Sequence, residues 1–276
     1  MSMLDPASIA DYRAFLDELA EAARAEILPH FRVGGAVDDK QGAGRGFDPV
    51  TAADRGAERA MRALIETRYP DHGIIGEEFG EKPSQNGFVF VLDPVDGTRA
   101  FIAGLPLWGT LIALTYQGAP VFGVLDQAYL DERFVGFPDG AELIARGVRR
   151  PLATRACADL REAVLATTDP FLFNPAETGG FEHLRATARL TRYGCDCYAY
   201  AMVAMGAIDV VVESGLRVWD IAALIPIIEG AGGLVRNWRG GLAHEGGQVI
   251  AVGDSRPLEQ ALVSLRRCAA PFSPYS

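Results

Sequence analysis

Apolar side chains recur at Ile9, Tyr12, Leu16, Leu19 and Ala23, the three-and-four spacing of one helical face. Asp5 can cap such a helix and Pro6 suits its first turn, so the spacing predicts a helix ending near 29–31. The pattern then dissolves over 34–49, a stretch rich in Gly, Asp and Lys that reads as a mobile loop. Its Gly42-Ala43-Gly44-Arg45-Gly46 is a poor nucleotide loop, since no strand precedes it and neither G-x-G-x-x-G nor a Walker lysine is present. Thr51-Ala52-Ala53-Asp54 resembles a capping box with Asp in place of Glu. The helix it opens carries Ala57, Met61, Leu64 and Ile65 on one face and ends before Pro70.

From there the helical period gives way to short apolar runs. A short strand is expected at 73–76, and the continuous run Phe88-Val89-Phe90-Val91-Leu92 reads as a strand buried on both faces. Further strands are expected at 107–117, 120–127, 132–137 and 141–146. The second half alternates: strand 163–168, helix 180–190, helix 196–205, strand 208–213, helix 219–229, strands near 233–238 and 248–253, and helix 256–267. Pro226 should bend the 219–229 helix or sit in its first turns. This order predicts an α/β protein of stacked layers. It divides into an N-terminal half, 1–150, and a C-terminal half, 151–276, with the boundary near 148–160. Residues 100–125 carry no charge and are long enough to span a bilayer, but Gly104, Pro106, Gly109, Gln117, Gly118 and Pro120 interrupt them. Two buried strands joined by Gln117-Gly118-Ala119-Pro120 fit better than a membrane helix.

Composition narrows the classes of partner. The 276 residues carry 26 Lys and Arg against 36 Asp and Glu, a net charge of -10. Duplex nucleic acid and anionic membranes need clustered cations, so neither is an expected partner. At 49% hydrophobic residues the chain can offset the entropy of ordering. Four cysteines without a C-x-x-C pair form neither a disulfide scaffold nor a zinc ribbon, and a reducing cytoplasm is the simplest home. Met1-Ser2-Met3-Leu4-Asp5-Pro6 has no basic region followed by an apolar run, so no signal peptide is expected. His30, His72, His183 and His244 show no metal-ligand spacing, and Ser214 and Ser255 lack the context of a serine hydrolase.

Candidate chemistry lies in three acidic clusters: Gly76-Glu77-Glu78, Asp93-Pro94-Val95-Asp96-Gly97-Thr98, and Trp219-Asp220. The first two follow apolar strands, where α/β enzymes place ligand contacts. Pro94 fixes the chain direction between two carboxylates, and the backbone N–H groups of Gly97 and Thr98 can bind a phosphate if they open a helix. The carboxylates would repel that phosphate and one another, and bound cations resolve both conflicts. Oxygen ligands with no His or Cys nearby favour Mg²⁺. Taken singly, each cluster also reads as a turn or a helix cap.

Together these clusters, with Asp48-Pro49-Val50-Thr51-Ala52-Ala53-Asp54 upstream and Gly230-Ala231-Gly232-Gly233 downstream, resemble the inositol monophosphatase superfamily. The elements stand in the family's order and cover nearly the whole chain. The resemblance implies an αβαβα sandwich, Mg²⁺ dependence with lithium sensitivity in many members, and a homodimer. It implies one Mg²⁺ on Glu77, Asp93 and the Val95 carbonyl, a second on Asp93, Asp96 and Asp220, and a weaker third near Glu77. Thr98 and Glu77 would orient and deprotonate the attacking water, with Asp54 as a partner of Thr98. Gly97 and Thr98 would cradle the phosphate, and Lys40 matches a lysine of the family's mobile loop. Glu78 reads equally well as a structural residue. The implied reaction is in-line attack of a metal-activated water on a small phosphate monoester, with no covalent phospho-enzyme.

The segment Arg99-Ala100-Phe101-Ile102 and the stretch from Gly104-Leu105-Pro106 to Thr110 depart from the inositol phosphatases. With Arg192-Tyr193-Gly194-Cys195-Asp196-Cys197-Tyr198-Ala199-Tyr200, they look like the histidinol-phosphate phosphatase branch, an enzyme of histidine biosynthesis. Histidinol carries an ammonium and an imidazole, which carboxylates at Asp196 and Glu213 would pair. Glu213 also fits an inositol pocket, and Asp196 could simply cap its helix. Tyr198 and Tyr200 are expected as core or interface aromatics, and Trp108 and Trp219 as packing residues. The alternatives are an inositol-1-phosphate phosphatase, a 3′-phosphoadenosine phosphatase, and a non-catalytic phosphate-binding regulatory relative.

Overall fold

The computed structural model describes residues 5–33, 38–39 and 49–270. The expected 34–49 loop, with Lys40, the Gly42–Gly46 glycines and Asp48, therefore lies outside the described residues apart from 38–39 and 49. In chain order the elements are α1 Pro6–Ile27, β1 Asp38–Asp39, β2 Pro49–Val50, α2 Ala52–Arg68, β3 Gly73–Gly76, β4 Gly80–Lys82, β5 Phe88–Asp96, α3 Thr98–Ile102, β6 Gly109–Tyr116, β7 Ala119–Gln127, β8 Glu132–Phe137, β9 Gly140–Ala145 and β10 Val148–Pro151. There follow β11 Val164–Thr167, α4 Pro175–Thr187, β12 Leu190–Tyr193, α5 Asp196–Ala204, β13 Val210–Leu216, α6 Val218–Ile221, α7 Leu224–Gly230, β14 Leu234–Asn237, β15 Gly247–Val252 and α8 Ser255–Cys268.

An eight-stranded sheet runs β10-β9-β8-β7-β6-β5-β3-β4, antiparallel except where β3 lies parallel to β5. A five-stranded sheet runs β12-β11-β13-β15-β14, with β11 parallel to both neighbours. The strand period explains the layers. On β5 and β6, Phe90, Leu92, Ile112 and Leu114 face the core formed with α1 and α2, while Val91, Leu111 and Ala113 face the central core with α5 and α7. Both faces are covered, hence the continuous apolar run at 88–92. On β13, Val211 faces the same central core, while Val210 and Val212 meet α4 and α8. The result is the αβαβα sandwich that the resemblance implied.

Most expected elements are present, and the differences have local causes. The 219–229 helix is two helices, α6 and α7, with Pro226 in the first turn of α7. Helix α4 starts at Pro175 rather than 180, because Asn174 and Glu177 form a full capping box ahead of Gly179-Gly180. Residues 190–193 leave the helix and pair with β11. Strands β4 and β10 were not expected: they lie at the sheet's edges and carry Gly-Glu-Lys and Val-Arg-Arg-Pro with almost no burial. Residues 100–125 hold parts of α3, β6 and β7, and no described helix is long and apolar enough to cross a membrane. The Thr51–Asp54 capping box is formed. His72 is a buried structural residue, its Nε2 lying 3.0 Å from the Tyr12 hydroxyl.

Helix α7 approaches the sheet closely enough to exclude side chains. A Cβ on Gly123 of β7 would stand 1.9 Å from the Ala223 carbonyl oxygen, and one on Gly136 of β8 would stand 2.2 Å from the Pro226 carbonyl carbon. Both obstacles are backbone, so neither can rotate away. We expect Gly136→Ala to destabilise the protein at the upper end of the ~1–3 kcal/mol typical of overpacking, measured by denaturant unfolding. An unchanged midpoint would contradict this packing.

Candidate active site

Three separate segments converge at the end of β5. The strand continues through Asp93 to Asp96, four residues beyond the apolar run, and its register against β6 shifts between those two aspartates. The shift brings both carboxylates toward one place. Asp220 arrives from α6, which packs on β5, and accepts from the Arg217 N–H at 2.6 Å. One carboxylate oxygen from each of Asp93, Asp96 and Asp220 lies within 4.8 Å of the others. Glu77 follows β3, where its N–H donates to the Leu92 carbonyl at 3.2 Å, and its side chain is hydrogen-bonded to Asp93. Glu77 and Asp220 thus both stand against Asp93.

Each carboxylate is held by backbone. Asp93 accepts from the Val95 N–H at 3.1 Å, and Asp96 accepts from the Cys197 N–H at 2.8 Å, which ties the start of α5 to the end of β5. Asp93 is 2% exposed. Burial and the neighbouring charges of Glu77, Asp96 and Asp220 push its pKa well above the usual carboxylate range. Asp96 is raised likewise by burial, Asp196 and Asp220. Among the described residues no salt bridge reaches Asp93 or Asp96. Glu58, fully buried on α2, pins the turn that carries Glu77 by accepting from the Glu78 and Phe79 N–H groups at 2.8 and 3.2 Å. Nothing in the sequence pattern singles out Glu58, because its role depends on that contact.

Gly97 caps α3 with φ 82°, and a Cβ there would meet the Leu107 carbonyl oxygen at 3.0 Å and Asp196 Cβ at 3.1 Å. The Gly97 and Thr98 amides open α3, as expected. Thr98 Oγ1 donates to the Val95 carbonyl at 3.0 Å. Asp54 accepts from the Thr51 N–H at 2.9 Å and from the Thr51 hydroxyl, closing its capping box. Among the described residues no hydrogen bond joins Thr98 to Asp54: the local cap holds Asp54, and the Val95 carbonyl takes the Thr98 proton. Asp54 is nonetheless buried close enough to Glu77 for that charge to raise its pKa, after burial itself.

A cleft of about 350 Å³ opens beside the aspartates, lined by Asp96, Asp220, Asp196, Glu213, Tyr200 and Thr168, with Leu172 among the remaining residues. Asp196 does not cap α5. Its backbone sits at φ 43°, a conformation few L-residues adopt, and no hydrogen bond reaches its carboxylate among the described residues. Burial raises its pKa to about 6 against the opposing pull of Arg99. Glu213, 3% exposed, accepts from the Thr168 N–H at 2.6 Å and the Thr167 hydroxyl at 3.3 Å, and burial raises it to about 7. Tyr198 donates to Glu132 at 2.5 Å, away from this lining. Tyr200, expected only as a core or interface aromatic, lines the cleft. Trp108 is a fully buried packing residue, as expected.

The model of the inositol monophosphatase family matches residues 9–270. The chain belongs to the inositol monophosphatase family. It is 40% identical over 275 residues to the bifunctional phosphatase IMPL2, chloroplastic, of Arabidopsis thaliana, covering 96% of this chain and 78% of that one. It is 39% identical to a histidinol-phosphatase of Chlorobaculum parvum, covering 81% and 84%. Among solved structures, an inositol monophosphatase from Zymomonas mobilis superposes with a TM-score of 0.83 at 42% identity, over 93% of this chain and 98% of that one.

This family member is a phosphoric monoester hydrolase acting on a small-molecule phosphate. Members of the family are generally metal-dependent, and the donor set here fits a hard divalent cation. Carboxylate oxygens of one buried and two half-buried aspartates repel one another across a few ångströms, and no soft ligand stands in their triad.

Because burial lifts Glu213 from 4.5 to about 7, the folded protein holds a proton there that the unfolded chain releases. That contribution to stability is complete below about pH 4.5 and is lost as pH rises through 7. In metal-free protein, Glu213→Gln should flatten the decline in unfolding free energy between about pH 5 and 7, followed by denaturant titration at each pH. A decline of unchanged slope would show that Glu213 is not the titrating group.

Proposed function

We propose that the enzyme hydrolyses L-histidinol phosphate to L-histidinol and phosphate with Mg²⁺ as cofactor. The observation that carries the reading is Asp196. Its carboxylate projects into the cleft lining from a strained backbone, beside the buried Glu213 and close to the metal-type cluster. Backbone strain at a carboxylate that caps nothing is the kind of cost retained at a binding site. Two carboxylates in one cleft suit an alcohol bearing an ammonium and an imidazole, and each would gain a charge-assisted hydrogen bond. A neutral polyol would leave that negative charge uncompensated.

In this reading Glu77, Asp93 and the Val95 carbonyl hold one Mg²⁺, and Asp93, Asp96 and Asp220 hold a second, with a weaker third near Glu77. When bound, Mg²⁺ offsets the crowded negative charge and makes a water molecule more acidic. Glu77 takes the proton of the attacking water, and Thr98 orients that water from the mouth of α3. Gly97 and Thr98 offer backbone N–H groups to the phosphate oxygens. Asp54 serves from behind, held by Thr51 near Glu77. Glu213 and Asp196 bind the alcohol portion. We further propose a cytoplasmic homodimer whose 1–150 half carries most metal ligands and whose 151–276 half carries Asp220 and the specificity region. The family likeness supports the dimer, and four free cysteines support the reducing compartment.

The deciding experiment is phosphate release, measured side by side from histidinol phosphate, inositol-1-phosphate and 3′-phosphoadenosine 5′-phosphate with Mg²⁺ supplied. Histidinol phosphate should give the highest kcat/KM. Preference for inositol-1-phosphate would replace the reading, and release from none would favour a regulatory relative. Asp196→Ala should lower kcat/KM for histidinol phosphate by roughly tenfold or more, the loss of a charge-assisted hydrogen bond, and should affect a small neutral ester less. Equal losses on both would remove Asp196 from recognition of the amine.

A further inference from the structure

Tyr200 is a polar group of the cleft that the reaction above leaves unused. It lies on α5 four residues after Asp196, one helical turn further along the same face. The residue is 3% exposed and belongs to the central core, yet it also lines the cleft. Its hydroxyl has no hydrogen-bond partner among the described residues. The charges nearest it are those of Glu213, Asp96 and Asp220, which with burial hold the phenol protonated. A buried hydroxyl without a partner destabilises a fold where phenylalanine would pack equally well.

The chemistry of the lining shows what the hydroxyl can do. When ionised, Asp96, Asp196, Glu213 and Asp220 only accept hydrogen bonds. Ser214 already donates to Glu177 at 2.6 Å, and the Cys197 thiol is engaged with Asp96. Thr168 is only half-buried. Tyr200 is thus the fully buried hydroxyl donor of this lining left without a partner. A neutral imidazole presents one N–H and one bare ring nitrogen, and so needs an acceptor and a donor. An ammonium needs acceptors alone, and a polyol hydroxyl is satisfied by either.

We propose that Tyr200 is a specificity-determining residue whose hydroxyl donates to the bare nitrogen of an imidazole on the substrate, while Glu213 accepts from the ring N–H. This rests on the histidinol-phosphate reading and deepens it. Asp196 pairs the amine, and Glu213 with Tyr200 recognises the ring from two sides. The pairing selects a neutral imidazole, which needs both a donor and an acceptor, over an aliphatic ammonium, which needs acceptors alone.

Tyr200→Phe tests this in the Mg²⁺-loaded enzyme, with histidinol phosphate and the ringless ester glycerol 2-phosphate as substrates. L-Histidinol binding is measured separately by calorimetry. The ratio of kcat/KM between the two esters should fall by roughly tenfold, with the loss on KM rather than kcat. L-Histidinol affinity should weaken by a similar factor, and the melting temperature should hold or rise. An unchanged ratio and unchanged L-histidinol affinity would overturn the role of Tyr200 while leaving the histidinol-phosphate reading intact. A lowered melting temperature would show that the hydroxyl serves the fold, which also overturns it. Wild-type enzyme that hydrolyses inositol-1-phosphate but not histidinol phosphate would overturn both.

Discussion

The structure is organised around a repulsion. Carboxylate oxygens of Asp93, Asp96 and Asp220 come within 4.8 Å of one another, with Glu77 hydrogen-bonded to the first. Two unit charges at that distance oppose each other by about 3.5 kcal/mol at an effective dielectric of ~20. Burial makes the charged forms costlier still. Either protons or cations must relieve this, and the general metal dependence of the family favours cations. Most features around the site serve to hold mutually repelling groups together.

The fold supplies that restraint through backbone contacts. Asp93 and Asp96 are each fixed by an N–H group, one of them the first amide after Asp196. Glu77 is tied to β5 through the Leu92 carbonyl, and the turn beyond it is held by Glu58. α6 carries Asp220 onto β5, and its neighbour α7 lies against glycines of β7 and β8 that admit no side chain. The positions of these carboxylates are therefore set by rigid elements and their ends, as pre-organised electrostatic catalysis requires. The adjoining cleft draws on α5 and β13, and α5 is coupled to the cluster through the Cys197 N–H that holds Asp96.

Much of this was legible in the sequence. The both-face burial of β5 showed as an unbroken apolar run at 88–92, and the α2 start showed as Thr51 with Asp54. The acidic clusters were visible, but their convergence was not, because residues 77, 93 and 220 meet only through sheet pairing and helix packing. Motif likeness stood in for that geometry. Edge strands β4 and β10 carried no apolar pattern and were missed. Asp54 is expected to reach Thr98, whereas its hydrogen bonds among the described residues go to Thr51. Tyr200 reads as a packing aromatic because its ring does pack; that its hydroxyl has no partner among the described residues and that it lines the cleft appears only in three dimensions. Asp196 could not be separated from a helix cap until its positive φ was known.

Whether the carboxylates at the end of β5 bind divalent cations can be read from thermal unfolding of chelator-treated protein with and without added Mg²⁺, in the wild type and in Asp93→Asn. Mg²⁺ should raise the wild-type midpoint by several degrees and leave the variant nearly unmoved. A wild-type midpoint indifferent to Mg²⁺, or an equal rise in both proteins, would contradict it.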